Sequence, residues 1–391
     1  MINQFKYYTR IFKWSRKGRV EPAKILFFTY SKNRKWIDGK NRNMFSFLLE
    51  QKYGNQMAVF ERETGARYVE QMDSKKIHYV EWDYIVVSLR AKLNSIFGKD
   101  KEACLNKAYD QYFKRLLHKT NPKVVLLVCS YDIAHKRLAY QCKQQKITVV
   151  EIQHGVINNY GYQNVKSKDY VPDYFFSFGS YFSTQLKSLN MFSDDRVIDT
   201  GFPLMEHLAA TEPEKLDIEV NDRPVLLFTT RLTSIDLYIR FIAEVESHLD
   251  PNWLIFVKLH PAEMAHSHRY EAKLKEDRTI IFSDATVNTF DLMKYSTVHS
   301  TINSTSFMES LFLGIPNIFI DDKDKINEMD VHIDGTLITK TDNAKEFADR
   351  CRLLLKQIDM QRPKLVDLSS KFYMKNSLAL QLKWMEKLLN E

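Results

Sequence analysis

The stretch STINSTSFMESLFLGIPNIFI, Ser300 to Ile320, holds a turn, a helix, a stop and a strand in one short run. Asn303, Ser304, Thr305 and Ser306 form the polar turn, and Phe307 to Phe312 follows as a short helix with Glu309 in its first turn. Gly314 ends that helix, because a residue without a Cβ enters the left-handed region cheaply, and Pro316 bars its continuation. Asn317 to Ile320 then reads as a buried strand. A turn, helix and strand in this succession form one step of an alternating α/β domain. Ser304, Thr305 and Ser306 fall at or near the N-cap. Hydroxyls and unpaired backbone N–H groups in that position either cap an ordinary helix or receive an anion, most often a phosphate.

The same alternation extends outward in both directions. Upstream, Pro224 to Thr230 and Trp253 to Leu259 are strand patterns with a helix over about Ile235 to Leu249 between them, and Thr279 to Phe282 and Val287 to Tyr295 form a further strand and helix. Downstream, Gly335 to Thr339 reads as a last strand and Asn343 to Ile358 as a helix. A second series fills the first half of the chain. Lys24 to Tyr30, Met57 to Glu61, Lys123 to Cys129, Ile147 to Ile152, Tyr174 to Phe178 and Arg196 to Asp199 are strands. Between them lie a polar loop at Ser31 to Asn43 and helices at about Met44 to Tyr53, Lys101 to His118 and Ile133 to Gln144, while Val80 to Leu89 fits either type. Strands alternating with helices predict mainly parallel sheets covered on both faces. The expected architecture is α/β, with two Rossmann-like domains facing across a cleft. Its parts are a basic segment 1–19, a first half 20–212, a linker 213–222, a second half 223–368 and a C-terminal helix 369–391 returning toward the first half. Ligands of such sheets bind beyond the carboxyl ends of the strands, which places the expected site in the cleft.

Composition narrows the functional class. The chain of 391 residues is 44% hydrophobic and 27% charged, as a folded protein is, and its net charge of +8 suits an anionic partner. The four cysteines, Cys104, Cys129, Cys142 and Cys351, are widely spaced without a CxxC pair, which points to a reducing compartment with neither disulfides nor zinc. No apolar run is long enough to span a bilayer and no signal peptide is evident, so a cytoplasmic location is expected. Residues 1–19 carry Lys6, Arg10, Lys13, Arg16, Lys17 and Arg19 without an acid, with Phe5, Tyr8, Ile11 and Phe12 near helical spacing. Such a segment either lies on an anionic bilayer, here the inner face of the plasma membrane, or packs on the domain with its basic face solvated.

The residues able to carry chemistry follow strands. Lys258 and His260, two apart at the end of WLIFVKL, point to one face and together suit a leaving phosphate, with Pro261 ending the strand. Arg231, after the strand at Pro224 to Thr230, offers a guanidinium fork to the same group. Glu309 could accept from ribose hydroxyls. In the first half, His154 precedes Gly155 at a strand end and could take a proton from an attacking hydroxyl; Glu151 and Asp38 are alternative bases. The run Asp321-Asp322-Lys323-Asp324 reads as a solvated turn rather than a metal site. There is no GxGxxG and no GxxxxGK[ST], so nicotinamide and P-loop readings lack support.

The pair KLHP and NSTSFMESLFLGIP, so spaced, resembles the C-terminal half of GT-B glycosyltransferases of bacterial surface-polysaccharide synthesis, including polysialyltransferases and related capsule enzymes. The resemblance implies that His260-Pro261 and Ser304-Thr305 hold the phosphate of a nucleotide-sugar donor, without a metal or cofactor. The chain also resembles the teichoic-acid transferases that use CDP-glycerol, whose His-Gly pair would match His154-Gly155. Where those enzymes carry Asp-Tyr-Ser-Ser this chain has Ile302-Asn303-Ser304-Thr305, and Gln153 stands where they have tryptophan. The expected activity is transfer of a sugar from a nucleotide donor to a glycan or lipid-linked acceptor in capsule, O-antigen or lipooligosaccharide synthesis. The expected donor site is Arg231, Lys258, His260, Ser304, Thr305, Ser306 and Glu309. Polyol-phosphate transfer from a CDP donor and nucleotide-sugar 2-epimerisation are the enzymatic alternatives. A non-catalytic subunit of an assembly complex is the binding-protein alternative. A nucleic-acid partner is not expected.

Overall fold

The computed structural model describes residues 21–62, 77–95, 100–130, 132–155, 157, 167–231, 234–274, 277–284, 287–322 and 335–391. The basic segment 1–19 lies outside them. The chain divides into two compact units, Met1–Leu204 with Met374–Glu391, and Met205–Tyr373.

The first unit starts at β1 (Ile25–Tyr30), followed by a 3-10 turn and an antiparallel hairpin, β2 (Arg34–Ile37) and β3 (Lys40–Asn43). Then come α1 (Phe47–Tyr53), β4 (Met57–Arg62), β5 (Ile77–Tyr79), α2 (Glu81–Ser95), α3 (Lys101–Thr120), β6 (Val124–Leu127), α4 (Ile133–Gln144), β7 (Thr148–Ile152), β8 (Tyr174–Ser177), α5 (Ser180–Ser188) and β9 (Val197–Asp199). The boundary between the units falls inside α6 (Pro203–Ala210). Seven strands form one sheet in the order β5-β4-β1-β6-β7-β8-β9, every pairing parallel.

The second unit holds β10 (Val225–Thr229), α7 (Ile235–His248), β11 (Leu254–Lys258), α8 (Ser267–Glu271), β12 (Thr279–Phe282), α9 (Thr289–Lys294), β13 (Val298–Thr301), α10 (Ser306–Phe312), β14 (Asn317–Ile320), β15 (Ile338–Thr341) and α11 (Ala344–Ser369). Its six strands are ordered β12-β11-β10-β13-β14-β15, again all parallel. Both sheets therefore have the doubly wound order, with the direction of winding reversing between β1 and β6 in one and between β10 and β13 in the other.

Strand periodicity explains how each sheet is covered. Leu226, Phe228, Ile255, Val257 and Val298 face one core, where the Phe228 ring stacks on Phe347 of α11 at 5.8 Å. Their neighbours Val225, Leu227, Leu254 and Phe256 face a second core on the opposite side. A strand buried on both faces reads as an unbroken apolar run, which is how VLLF and LIFV appear. The segment expected as a linker sends Leu216, Ile218 and Val220 against that second core.

Two local readings differ from the structure, and a third, left open between helix and strand, is decided by it. The polar loop at Ser31 to Asn43 is an ordered hairpin, because Arg34 is buried against Glu61 of β4, with Nε at 2.8 Å from Oε2. Of Val80 to Leu89, which fits either type, Glu81 to Leu89 opens α2. The helix expected to end near Ile358 runs on through Pro363 to Ser369, held by Leu365 and Ser369, which are fully buried. A proline interrupts one backbone hydrogen bond, and here packing outweighs that loss. The last helix, α12 (Ser377–Asn390), belongs to the first unit. It begins against Gly201, whose φ is +77° and where a Cβ would lie 2.5 Å from the Met374 carbonyl oxygen. Among the described residues no helix is long and apolar enough to cross a membrane.

Candidate functional site

The second sheet brings its candidate residues to three adjacent strand ends. Thr230 and Arg231 follow β10, His260 follows β11, and Asn303 to Ser306 follow β13. These ends flank the point where the sheet reverses its winding, the place where open α/β sheets hold ligands. Arg231 and His260 are exposed, and Arg231 Nη1 donates to Asn303 Oδ1 at 2.6 Å. That bond ties the loop after β10 to the turn after β13.

His260 has an ordered ring. The Ala262 N–H donates to its Nδ1 at 3.2 Å, so Nδ1 is an acceptor and the neutral ring carries its proton on Nε2. The backbone N–H of the same residue is shared between Thr230 Oγ1 at 3.1 Å and Glu263 Oε2 at 3.2 Å. Glu263 is wholly buried; it also accepts from the Thr230 hydroxyl and, at 3.0 Å, from the Tyr270 hydroxyl. Burial and the Glu263 charge push the Tyr270 phenol well above its usual range, so it remains a donor. Lys258 is placed differently from His260. Its side chain is buried, and Nζ donates to the Asp284 carbonyl at 2.5 Å, fastening the loop after β12.

The turn before α10 separates the three hydroxyls expected to act together. Ser304 Oγ accepts from the Ser306 N–H at 3.3 Å and so tightens the turn, while Thr305, the N-cap residue, makes no side-chain cap bond. Ser306 is buried, and its hydroxyl lies 2.9 Å from Thr229 Oγ1. Thr305 is half-buried. Beneath the turn, His299 of β13 is fully buried, and burial lowers its pKa to about 4 in spite of the Asn317 contact. The Asn317 amide donates to Ser310 Oγ at 2.7 Å and to the Ile315 carbonyl at 3.2 Å, leaving its oxygen to accept from His299 Nδ1 at 2.5 Å. Nε2 is then an acceptor and takes the Thr229 hydroxyl proton at 3.0 Å. Thr229 Oγ1 in turn accepts from Ser306. One chain of hydrogen bonds thus holds the first residue of α10 to β10, β13 and β14.

The far end of α10 stops as Gly314 requires. Its φ is +73°, the Gly314 N–H donates to the Leu311 carbonyl, and the Ile315 N–H reaches back to the Ser310 carbonyl at 2.9 Å. Glu309 is half-buried and raises the phenol of Tyr373, whose pKa burial has already lifted. Of the acidic run after β14, Asp321 pairs with Lys340 at 2.8 Å.

The first unit keeps its three candidate bases in three environments. His154 follows β7 and is half-buried; burial first, then the charges of Lys32 and His135, lower its pKa to about 4. Glu151 is buried within β7 itself. Asp38 is exposed at the tip of the β2–β3 hairpin, 3.8 Å from Arg42. A cluster that the sequence reading passed over sits where this sheet reverses its winding. His135 is fully buried, with Nδ1 at 3.0 Å from Asp132 Oδ2, 2.6 Å from the Cys129 carbonyl and 3.2 Å from the Tyr30 hydroxyl. Burial opposes a charged ring there, but Asp132 and the Cys129 carbonyl overcome it and raise its pKa. The Tyr30 hydroxyl donates to the same carboxylate. The signal for this cluster was Asp132 at the N-cap of α4, with His135 three residues on. The signal for Glu263 was its place three residues after His260.

No protein-family model and no curated protein matches the sequence. Solved structures do. UDP-GlcNAc 2-epimerase from Neisseria meningitidis, solved with UDP-GlcNAc bound, is 13% identical with a TM-score of 0.58, covering 93% of this chain and 99% of its own. The calicheamicin glycosyltransferase is 10% identical with a TM-score of 0.58, covering 94% and 99%. The wall teichoic acid polymerase TagF is 13% identical with a TM-score of 0.57, covering 100% and 97%. This is the GT-B fold. At such identities the likeness carries the architecture of both Rossmann-like units and nothing finer.

Proposed function

We propose that the protein is a GT-B glycosyltransferase that moves a sugar from a nucleotide-activated donor to a glycan or lipid-linked acceptor of a bacterial surface polysaccharide. The observation that carries this reading is the meeting of Arg231, His260 and the Asn303–Thr305 turn at three adjacent strand ends of the second unit. In the reaction an acceptor hydroxyl attacks the anomeric carbon, and the bond to the nucleotide phosphate breaks. Negative charge grows on that phosphate, and fixed donors lower its energy most where they need no reorganisation. The Nε2–H of His260 is such a donor, and Arg231 supplies two-point charge neutralisation. Thr305 borders the same place. Lys258 supports it from behind through Asp284. His154, neutral at pH 7, is assigned to the acceptor hydroxyl in the first unit. The reaction needs no cofactor in this reading.

Similar proteins include UDP-GlcNAc 2-epimerases, so a nucleotide-sugar 2-epimerase is the second reading; TagF, whose match spans the whole chain, supports polyol-phosphate transfer as the third. All three readings place the phosphate of a nucleotide-activated donor in the second unit. Titration calorimetry with CMP, CDP, UDP and GDP tests that shared claim. We expect one of them to bind, His260→Ala to lower turnover about 10²-fold without moving the melting temperature, and Thr305→Trp to abolish binding. Full activity in both variants, or no binding of any nucleotide at millimolar concentration, would overturn the assignment.

A further inference from the structure

Glu263 contributes nothing to a ligand directly: it is wholly buried, in a turn that leaves His260 exposed. Yet it gathers three donors. Its Oε2 takes the Thr230 hydroxyl and the His260 N–H, and its Oε1 takes the Tyr270 hydroxyl from α8. The Glu263 N–H closes the turn on the His260 carbonyl at 2.7 Å. A carboxylate without solvent is a costly choice unless its hydrogen bonds fix something. What these fix is the backbone of His260 at both its N–H and its carbonyl. Because that turn also aims the Ala262 N–H at His260 Nδ1, the backbone geometry decides which ring nitrogen bears the proton.

We infer that Glu263, with Thr230, is a positioning residue that holds His260 in the Nε2–H form, with its donor directed outward. This rests on the proposed role of His260 as a donor to the leaving phosphate, but the tautomer itself can be measured without any substrate. Thr230 is the hinge of the arrangement. It accepts from His260 N–H and donates to Glu263, so the end of β10 and the end of β11 are joined through one hydroxyl. Loss of the carboxylate would release the turn, free Nδ1, and let the ring exchange between tautomers.

The test uses the full chain labelled with 15N-histidine at a pH where the ring is neutral. His260→Gln identifies the His260 resonances. In the unaltered protein, Nδ1 should give the signal of an unprotonated nitrogen and Nε2 that of a protonated one. Glu263→Gln, which keeps size and removes charge, and Thr230→Val, which removes the hydroxyl, should each move His260 toward a mixture of tautomers, while circular dichroism shows both folded. An unchanged Nε2–H signal in both folded variants would overturn the inference whatever nucleotide the protein binds. Calorimetry with CMP, CDP, UDP and GDP then separates this outcome from failure of the functional reading. For whichever binds, Glu263→Gln should weaken affinity about 10-fold and produce no further loss when His260 is already alanine. Equal losses in both backgrounds would mean that Glu263 acts on the fold alone, and would also overturn it. If none of these nucleotides binds, the functional reading fails, and the tautomer measurement still decides the role of Glu263.

Discussion

At the scale of single residues, three histidines with different surroundings should respond to pH in two opposite directions. His299 is held neutral by burial, at about 4 against an ordinary 6.5. The unfolded chain therefore takes up a proton below pH 6.5 that the folded chain refuses until about pH 4. The stabilising effect of this residue is complete above pH 6.5 and is lost as pH falls toward 4. His154 titrates in the same direction. His135 runs the other way: its pKa is raised, so its contribution is complete below the unfolded value and is lost as pH climbs through the folded one. We expect His299→Gln to lower stability at pH 7, since it breaks the link between Thr229, Ser306 and Asn317. Between pH 6.5 and 5, however, its stability should fall less steeply than that of the parent, by up to about 1.4 kcal/mol per pH unit. Urea denaturation across that range measures both slopes; parallel slopes would mean that His299 is not the neutral ring the geometry implies.

At the scale of elements, the β2–β3 hairpin is anchored by a buried ion pair. RKWI and KNRN are polar, and two isolated strands are marginal in water. Arg34 secures them: its Nε reaches both oxygens of the wholly buried Glu61, and its Nη1 donates to the Asn41 carbonyl at 2.9 Å. Burial raises the Glu61 pKa, and Arg34 and Asn43 act to lower it. Arg34→Met should therefore cost about 3–5 kcal/mol, the scale for stranding one partner of a buried pair. Adding Glu61→Gln should restore a large part of it, because no buried charge then lacks a partner. A single variant with unchanged urea midpoint would show that the pair is not what orders the hairpin. This hairpin also shows where sequence reading stops. Strands buried on both faces were legible because a short apolar run such as VLLF, bounded by polar residues, suits a central strand of a covered sheet. The helix α10 was legible through Gly314 and Pro316. The hairpin was not, since nothing local marks Arg34 as buried: its partner is 27 residues away. The same holds for the site. His260 at a strand end could be read directly. Glu263, in a charged stretch, gave no sign of being buried, and Lys258 gave no sign that its ammonium group would turn to Asp284.

At the scale of the whole molecule, charge is distributed unevenly. Of a net +8, six positive charges fall in residues 1–19 with no acid among them, so residues 20–391 carry only the remaining two. The long-range attraction to an anionic surface is therefore concentrated in one short segment rather than spread over both units. Among the described residues no helix is long and apolar enough to cross a bilayer. Basic residues close to an anionic bilayer contribute about 1 kcal/mol each, and Phe5, Tyr8, Ile11 and Phe12 at near-helical spacing would add apolar insertion. We predict that the full chain co-sediments with phosphatidylglycerol vesicles and not with phosphatidylcholine vesicles. Raised salt should release it, because the attraction is screened within about 10 Å at 0.1 M ionic strength. Removal of residues 1–19 should abolish sedimentation while leaving nucleotide binding and the urea midpoint unchanged, since the proposed donor residues all lie in the second unit. Two results would sink this reading. Sedimentation that survives the deletion would place the membrane contact elsewhere, and a truncated protein with a lowered urea midpoint would make the segment part of the first unit's packing.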